Sequence, residues 1–481
     1  MTGAAPAVRR VIVFLADDLG WGDLGSYGAE RIPTPHLDAL AARGMRFTDC
    51  HAASAVCTPS RYGLLTGRYP WRSPLHSGVL GGTDPSIIAP SVPTLAGSLA
   101  AAGLRTGAFG KWHLGLDWTS RDGSRRTAFD EGFQPDMQAS GRDVDYSVPF
   151  RNGPIDLGFD RFFGIAGSLD MPPYCFLEQD RTVGIPSVEK EELVTSQRPG
   201  LQVPGWRDDQ VDVRIADEAC AWIVERLAED EPFFAYVASA APHRPCVPPE
   251  FVRGASRAGA RGDAVCLVDW MVGRLLEVLE SHATLEDTLF VFTSDNGAPM
   301  IFPEDGDVVE HRPNGAWRGQ KADAWEGGHR VPLLAAGPGV PAGTSDELVS
   351  LLDLFPTIAA MTDAAAPDAD GEPIPALAPG AGSVDRVLGQ QAFDGALVLR
   401  EGTAKAILGT GSGGFSEPVG RLVAASSPDG QLYDLSVDPA ETRNLWPEQP
   451  DRAQRMLRRY RDETGFDDTF LPRNALEDDA C

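Results

Sequence analysis

The 481-residue chain predicts an α/β fold: a large mixed, mostly parallel sheet flanked by helices, followed by a smaller C-terminal α+β subdomain. Three observations carry this expectation. Short apolar runs alternate with stretches of helical period, as strands joined by crossover helices do. Four of those runs lead into Asp, Asn, Lys or His, at the sheet edge where ligands gather in such folds. Beyond an Ala/Pro/Asp/Gly-rich stretch at 364–382 the pattern changes to short β-like runs and one polar helix. The expected units are residues 1–385 and 386–481.

Taken in order, residues 11–15 (VIVFL) read as a strand buried on both faces, ending in Ala16-Asp17-Asp18. Residues 35–44 read as a helix with Pro35 in front and Gly44 behind, and 45–48 as a short strand. A helix follows in 56–68, with Thr58 as its cap, Pro59 in its first position and Gly67 at its exit. Cys57 then sits at the helix mouth, where free N–H groups and the dipole make an anion site. Arg61 adds a charge one turn on. Residues 94–102 form another helix, stopped by Gly103, and 105–109 a strand running into Gly110-Lys111-Trp112-His113. Residues 117–210 show no sustained period and read as loops over the site with a strand or two. Helices are expected at 211–227 and 264–279, where apolar residues recur at helical spacing. Strands are expected at 233–238, before Pro242-His243, and at 288–293, before Ser294-Asp295-Asn296-Gly297. A strand at 331–336 and a helix at 353–361 complete the first unit. In the second, β-like runs at 396–400, 404–408 and 422–425 precede Leu432-Tyr433-Asp434-Leu435 and a helix from about 450 to 464.

Composition narrows the function. A formal net charge of -27 argues against nucleic acid as a partner, since phosphate backbones need a basic footprint. An anionic substrate must be caught by a local basic cluster against the global field. Seven scattered cysteines show no CxxC or zinc spacing and no disulfide framework. The apolar run at 11–15 is too short for a signal core or a membrane span, so the expected location is the cytoplasm, with no membrane partner.

The candidate site residues come from the strand ends. Asp17, Asp18, Asp295 and Asn296 offer oxygen ligands suited to a hard divalent cation, Ca²⁺ or Mg²⁺, and not to zinc. Each pair alone also reads as turn and capping residues. Lys111 and His113 stand two apart, so an extended backbone points them the same way. His243 lies between Pro242 and Pro245 in a rigid loop. Lys321 and Lys111 alone read as solvated lysines, and Cys57 alone as a buried small hydrophobe or a low-pKa thiol. Trp118, Tyr146, Phe150, Tyr174 and Trp206 read as core aromatics or as stacking surfaces for a ring.

Together these residues resemble a family. Pro33-Thr34-Pro35-His36-Leu37-Asp38 through Cys57-Thr58-Pro59-Ser60-Arg61 to Leu65-Thr66-Gly67-Arg68-Tyr69-Pro70 is similar to the signature of the formylglycine-dependent (type I) sulfatases. Gly110-Lys111-Trp112-His113-Leu114-Gly115 is similar to their second signature. The resemblance extends through Ala16-Asp17-Asp18, Gly158-Phe159-Asp160, Ser294-Asp295-Asn296-Gly297 and Glu326-Gly327-Gly328 to Leu432-Tyr433-Asp434-Leu435 and Asp438-Pro439-Ala440-Glu441. It covers nearly the whole chain with the motifs in family order.

The resemblance implies an alkaline-phosphatase-like fold and an arylsulfatase-like sulfuric ester hydrolase. It implies that a separate formylglycine-generating enzyme oxidises Cys57 to an aldehyde. One hydroxyl of the hydrate attacks sulfur and expels the alcohol; the second then loses its proton and sulfate leaves. Asp17, Asp18, Asp295 and Asn296, with the modified Cys57, match metal ligands for Ca²⁺, or Mg²⁺. Arg61 matches the residue that holds the hydrate, Lys111 and Lys321 the binders of sulfate oxygens, and His113 the base that triggers release. His243 matches the donor to the leaving oxygen, together with Lys321. Ser168 aligns with a substrate-contacting serine; beside it, Leu169 stands where some relatives carry histidine, and 409–414 is unusually glycine-rich. The implied partner is a small-molecule or carbohydrate sulfate ester. A phosphonate monoester or phosphodiester hydrolase, and a non-catalytic binding protein of the same fold, are the alternative readings.

Overall fold

The computed structural model describes residues 8–467 apart from 131, 195–196, 303–305, 379–384, 424–426 and 428. Cys481, and residues 424–425 of the run expected at 422–425, lie outside the described residues. The first strands are β1 (Arg10–Ala16), β2 (Met45–His51), β3 (Arg105–Lys111) and β4 (Arg161–Ile165). The pairs β5 (Leu177–Glu178) with β6 (Arg181–Thr182) and β7 (Val188–Glu189) with β8 (Leu201–Gln202) follow. The chain then forms β9 (Phe233–Ala238), β10 (Thr288–Ser294), β11 (Arg330–Ala336), β12 (Gly343–Ser345) and β13 (Val349–Ser350). Among the described residues these build an eleven-stranded sheet in the order β12-β2-β11-β10-β1-β9-β3-β4-β5-β6, with β13 also on β2 and the β7–β8 ribbon apart.

Five adjacent central strands, β10, β1, β9, β3 and β4, are parallel. β11, expected simply as a further strand, runs antiparallel to both β10 and β2, which makes the sheet mixed. The helices are α1 (Pro35–Arg43), α2 (Cys57–Thr66), α3 (Leu95–Ala101), α4 (Val211–Ala228), α5 (Gly259–Ser281), α6 (Glu326–His329), α7 (Leu354–Met361) and α8 (Pro450–Thr464). The two-residue period of β1 divides the core. Val11, Val13 and Leu15 pack with Leu64, Leu99 and Ile358 of α2, α3 and α7. Ile12, Phe14 and Ala16 pack with Leu40, Ile215 and Val268 of α1, α4 and α5.

A second sheet, β14 (Leu388–Gln391), β15 (Leu397–Glu401), β16 (Ala404–Ile407) and β17 (Gln431–Asp434), is antiparallel throughout. Its core includes α8 through Met456, Leu457 and Tyr460. Among the described residues no helix is long and apolar enough to cross a membrane.

Two helix expectations need correction. α2 begins at Cys57 with Val56 as its N-cap and no capping side chain, so Thr58 is not the cap. Its Oγ1 instead accepts from the Leu80 N–H at 3.3 Å, and Pro59 sits two residues inside the helix. The exit is as expected: Gly67 is left-handed at φ 66° and its N–H donates to Gly63 O. α5 starts five residues earlier than the 264 expected, taking Arg261 into the helix.

Candidate active site

The parallel strands end at one edge, and their register decides what meets there. Ala16 pairs with Ser294, so the next residues, Asp17 and Asp295, leave adjacent strands side by side. Gly110 pairs with Ala238, which brings Lys111 and the loop carrying His243 to the same edge. α2 points its first turn at this edge, and the segment before α6 supplies Lys321.

Charged bonds knit the group together. Lys111 Nζ donates to both Asp17 oxygens at 2.8 and 2.7 Å. Arg61 Nε and Nη2 donate to Asp295 Oδ2 at 2.9 and 2.6 Å, and Nη1 donates to Lys111 O at 3.0 Å. Lys321 Nζ lies 2.7 Å from Asp18 Oδ1 and 2.8 Å from Oδ2. Asn296 Nδ2 donates to Asp18 Oδ1 at 2.7 Å, and His243 Nε2 lies 3.7 Å from Asp18 Oδ2. Ligand atoms of Asp17, Cys57 and Asp295 fall within 4.8 Å of one another. Asp18, His113 and Ala322 all take positive φ, at 65°, 54° and 80°. Non-glycine strain of this kind persists where surrounding structure over-determines it, and it gathers at functional sites.

The two histidines are set in defined tautomers. His113 Nε2 is 2.8 Å from Leu80 O; a carbonyl only accepts, so Nε2 carries the proton. That leaves Nδ1 as a lone pair, buried and without a partner among the described residues. Burial, then the neighbouring Lys111, holds this imidazole well below its ordinary pKa, so it stays neutral with its Nδ1 lone pair free to accept. His243 Nδ1 is 2.6 Å from Arg244 O and donates there, which turns Nε2 toward Asp18.

The donor set fits a divalent cation. Burial pushes Asp295 up to about 6 even with Arg61 upon it, and Asp17 beside it adds to the rise. Asp295 is therefore short of positive charge, whereas Asp17 and Asp18, against the opposing effect of burial, are held below the usual carboxylate range by Lys111 and Lys321. Asn296 Oδ1 is buried with no hydrogen-bond partner among the described residues, an orphan of the kind that a ligated ion satisfies. All four residues are hard oxygen donors. Burial also raises the Cys57 thiol, against the pull of Lys111 and Lys321, so an unmodified Cys57 is protonated and a poor nucleophile.

A cleft of about 510 Å³ opens over this group, with Asp18, Cys57, His113, His243 and Lys321 at its inner end. Ser168 is buried at 3% exposure, with its Oγ unpartnered among the described residues. It does not line the cleft; Asp170 and Met171, just beyond it, do. Trp118, Tyr146 and Phe150 pack on one another in the core. Tyr174 is 1% exposed and Trp206 packs on Phe176. The aromatics that face the cleft are Phe302, Phe393 and Phe415, none of them singled out by the sequence.

The sequence reading also missed the support behind Asp18. Arg261 Nη2 donates to Asp18 O at 3.0 Å and to Asp23 Oδ2 at 2.6 Å. Asp23 Oδ2 accepts the Gly20 N–H at 2.7 Å, and His311 Nε2 lies 2.7 Å from Asp23 Oδ1. A signal was present: 261, 265, 268 and 272 share one helical face, and a charge on that apolar stripe needs a buried partner.

This combination of fold and strand-edge site is that of a sulfuric ester hydrolase, and comparison with known proteins agrees. A family model described as Sulfatase matches residues 9–364. An N-acetylgalactosamine-6-O-sulfatase of Bacteroides thetaiotaomicron is 32% identical, over 92% of this chain and 90% of its own. Human arylsulfatase A is 34% identical, over 92% of this chain and 85% of its own. A solved Bacteroides thetaiotaomicron structure, described in connection with the metabolism of multiple glycosaminoglycans, superposes with a TM-score of 0.81 at 29% identity, covering 96% of this chain and all of that one. The chain belongs to the sulfatase family.

Proposed function

We propose that the protein is a carbohydrate sulfatase, splitting a sugar sulfate monoester with water into the free sugar alcohol and sulfate. The observation that carries this is the inner end of the cleft. Cys57 at a helix N-terminus meets Asp18, Lys321, His113 and His243 there, so one ammonium and two imidazoles stand beside it in a chain of net charge -27. The similarity to an N-acetylgalactosamine-6-O-sulfatase over 92% of the chain and to a structure described in connection with glycosaminoglycan metabolism supports a sugar substrate, and the 34% identity to arylsulfatase A makes an aryl sulfate the comparison the test must include.

In this reading Cys57, oxidised to formylglycine by a separate maturation enzyme, supplies as its hydrate one hydroxyl for attack and a second for release of sulfate. Asp17, Asp18, Asp295, Asn296 and the Cys57 side chain would hold a divalent cation, Ca²⁺ in this reading, which when bound would withdraw charge from the sulfate and make the attacking hydroxyl more acidic. Arg61, one turn of the same helix on from Cys57, holds Asp295 in place. Lys111 and Lys321 stabilise the sulfate oxygens as charge moves through the transition state. His113 accepts a proton at Nδ1, the one ring nitrogen left free. His243, whose Nε2 faces the site, helps to protonate the leaving oxygen together with Lys321 beside it.

The test is a panel of hexose and N-acetylhexosamine 6-sulfates beside 4-nitrophenyl sulfate and a 4-nitrophenyl phosphodiester, using protein shown by peptide mass spectrometry to carry formylglycine. The reading expects the highest kcat/KM on a sugar sulfate. A phosphodiester preference would sink it.

A further inference from the structure

The cleft holds one feature that the chemistry of sulfate release does not use. Asp170 and Arg198 both line it, joined by Arg198 Nη1 donating to Asp170 Oδ2 at 2.6 Å. Among the described residues Arg198 spends only Nη1 on protein acceptors, the other being Asp170 O at 3.4 Å. Asp170 is 8% exposed, yet its Oδ1 has no hydrogen-bond partner among the described residues, and neither has Arg198 Nε. A buried charged acceptor left unpaired is expensive, so a native structure that keeps one calls for an explanation. The pair is also rigidly built. Arg198 N–H donates to Asp170 O at 2.8 Å, Tyr174 Oη donates to Arg198 O at 2.6 Å, and Gln197 Nε2 donates to Leu169 O at 2.8 Å.

We propose that Asp170 and Arg198 read the leaving group, and that what they read is a hydroxyl on a neutral sugar ring. This deepens the carbohydrate reading above and rests on it. A hydroxyl is at once a donor, for the free carboxylate oxygen, and an acceptor, for a guanidinium N–H. Adjacent hydroxyls on a ring can satisfy both partners together. The pair carries no net charge, so it does not favour a second anionic group: Asp170 repels what Arg198 attracts. An aryl ring offers neither donor nor acceptor and would cover Asp170 Oδ1 while leaving it unpaired. Sites built to bond a substrate hydroxyl discriminate strongly against analogues that lack it. The apolar part of the same lining, which includes Met137, Phe393 and Phe415, suits the C–H face of a sugar.

The experiment compares kcat/KM on the best sugar sulfate of the panel with that on 4-nitrophenyl sulfate, for wild type and for Asp170→Asn and Arg198→Met. It adds the monodeoxy analogues of that sugar sulfate on wild type and Asp170→Asn. The expected result is a loss of about 10- to 100-fold on the sugar sulfate, with a much smaller loss on the aryl sulfate, so that the ratio collapses. One monodeoxy analogue should lose a similar factor on wild type and nothing further on Asp170→Asn. Equal losses on both substrates would make the pair a structural strut and overturn the proposal. If the variants fail to fold, the monodeoxy series on wild type decides alone, and full activity on every analogue overturns it. Wild type that cleaves aryl but no sugar sulfate overturns the carbohydrate reading as well; wild type that cleaves sugar sulfates with selectivity unchanged in the variants overturns only the pair.

Discussion

Cys57 is encoded as a small buried thiol, 2% exposed, and burial keeps it protonated. Its value lies in its neighbours. Cys57→Ala is expected to abolish turnover while leaving the melting temperature close to wild type, with Ca²⁺ still bound in calorimetry, more weakly, through the four remaining oxygen ligands; a large drop in melting temperature would assign Cys57 a structural role. His113→Ala should lower kcat about 10²–10⁴-fold if its Nδ1, unpartnered among the described residues, takes the proton as proposed, and stopped-flow rates check this. Arg261 holds the carbonyl of Asp18, which stands at φ 65°. Arg261→Met should weaken Ca²⁺ binding in calorimetry, with a measurable loss even in the Cys57→Ala background, where no turnover contributes. At this scale the sequence was most informative where chemistry and spacing coincide. Cys57, Arg61, Lys111 and His113 lie within two short motifs. Asp170 and Arg198 are 28 residues apart on unpatterned loops, so nothing in the sequence couples them.

The elements were legible where the period was long or the strand wholly buried. β9 was expected at 233–238 and spans those residues, because six buried positions leave no polar face to blur the ends. Helix starts were less legible. α2 dispenses with a capping side chain, since Val56 is extended and the first turn faces the site; the Thr58 hydroxyl was therefore free to hold Leu80. The α2 exit does follow local chemistry. Gly67 is left-handed, and an added Cβ would stand 3.0 Å from Phe355 Cδ1. Gly67→Ala should destabilise by about 1–2 kcal/mol from the backbone alone, read as a lower calorimetric melting temperature. An unchanged melting temperature would contradict that backbone cost.

Across the whole molecule, a buried ionic cluster joins the two sheets. Glu326 of α6 accepts from Arg400 Nη1 at 3.0 Å, Lys405 Nζ at 3.1 Å and Arg330 Nη1 at 2.7 Å, so residues of the second sheet grip the segment just after Lys321. His51 Nδ1 and His329 Nδ1 lie 2.9 Å apart; one ring must accept, which fits the lowering of both pKa values by burial. Although His51, Glu326 and His329 are close enough to hold a metal, three side-chain cations already occupy Glu326. Burial opposes ionisation of Glu326, but Arg400, Lys405, His51 and Arg330 outweigh it and hold the carboxyl well below its ordinary 4.5. Its folded pKa is depressed, so its contribution is complete above about 4.5 and drains away as pH falls below that. Glu326→Gln should destabilise at neutral pH by about 3–5 kcal/mol. Its melting temperature should also fall less steeply than wild type below pH 4.5, checked by calorimetry across pH. This cluster was out of reach from sequence, because its members come from four separate segments and each alone reads as an ordinary surface charge.

The most direct measurement of the central claim relates sulfate release to the state of Cys57. Preparations differing in the fraction of Cys57 converted to formylglycine, quantified by peptide mass spectrometry, are assayed on one sugar sulfate. Turnover should rise in proportion to the converted fraction and vanish in Cys57→Ala. Full turnover by protein whose Cys57 is entirely thiol would contradict the account.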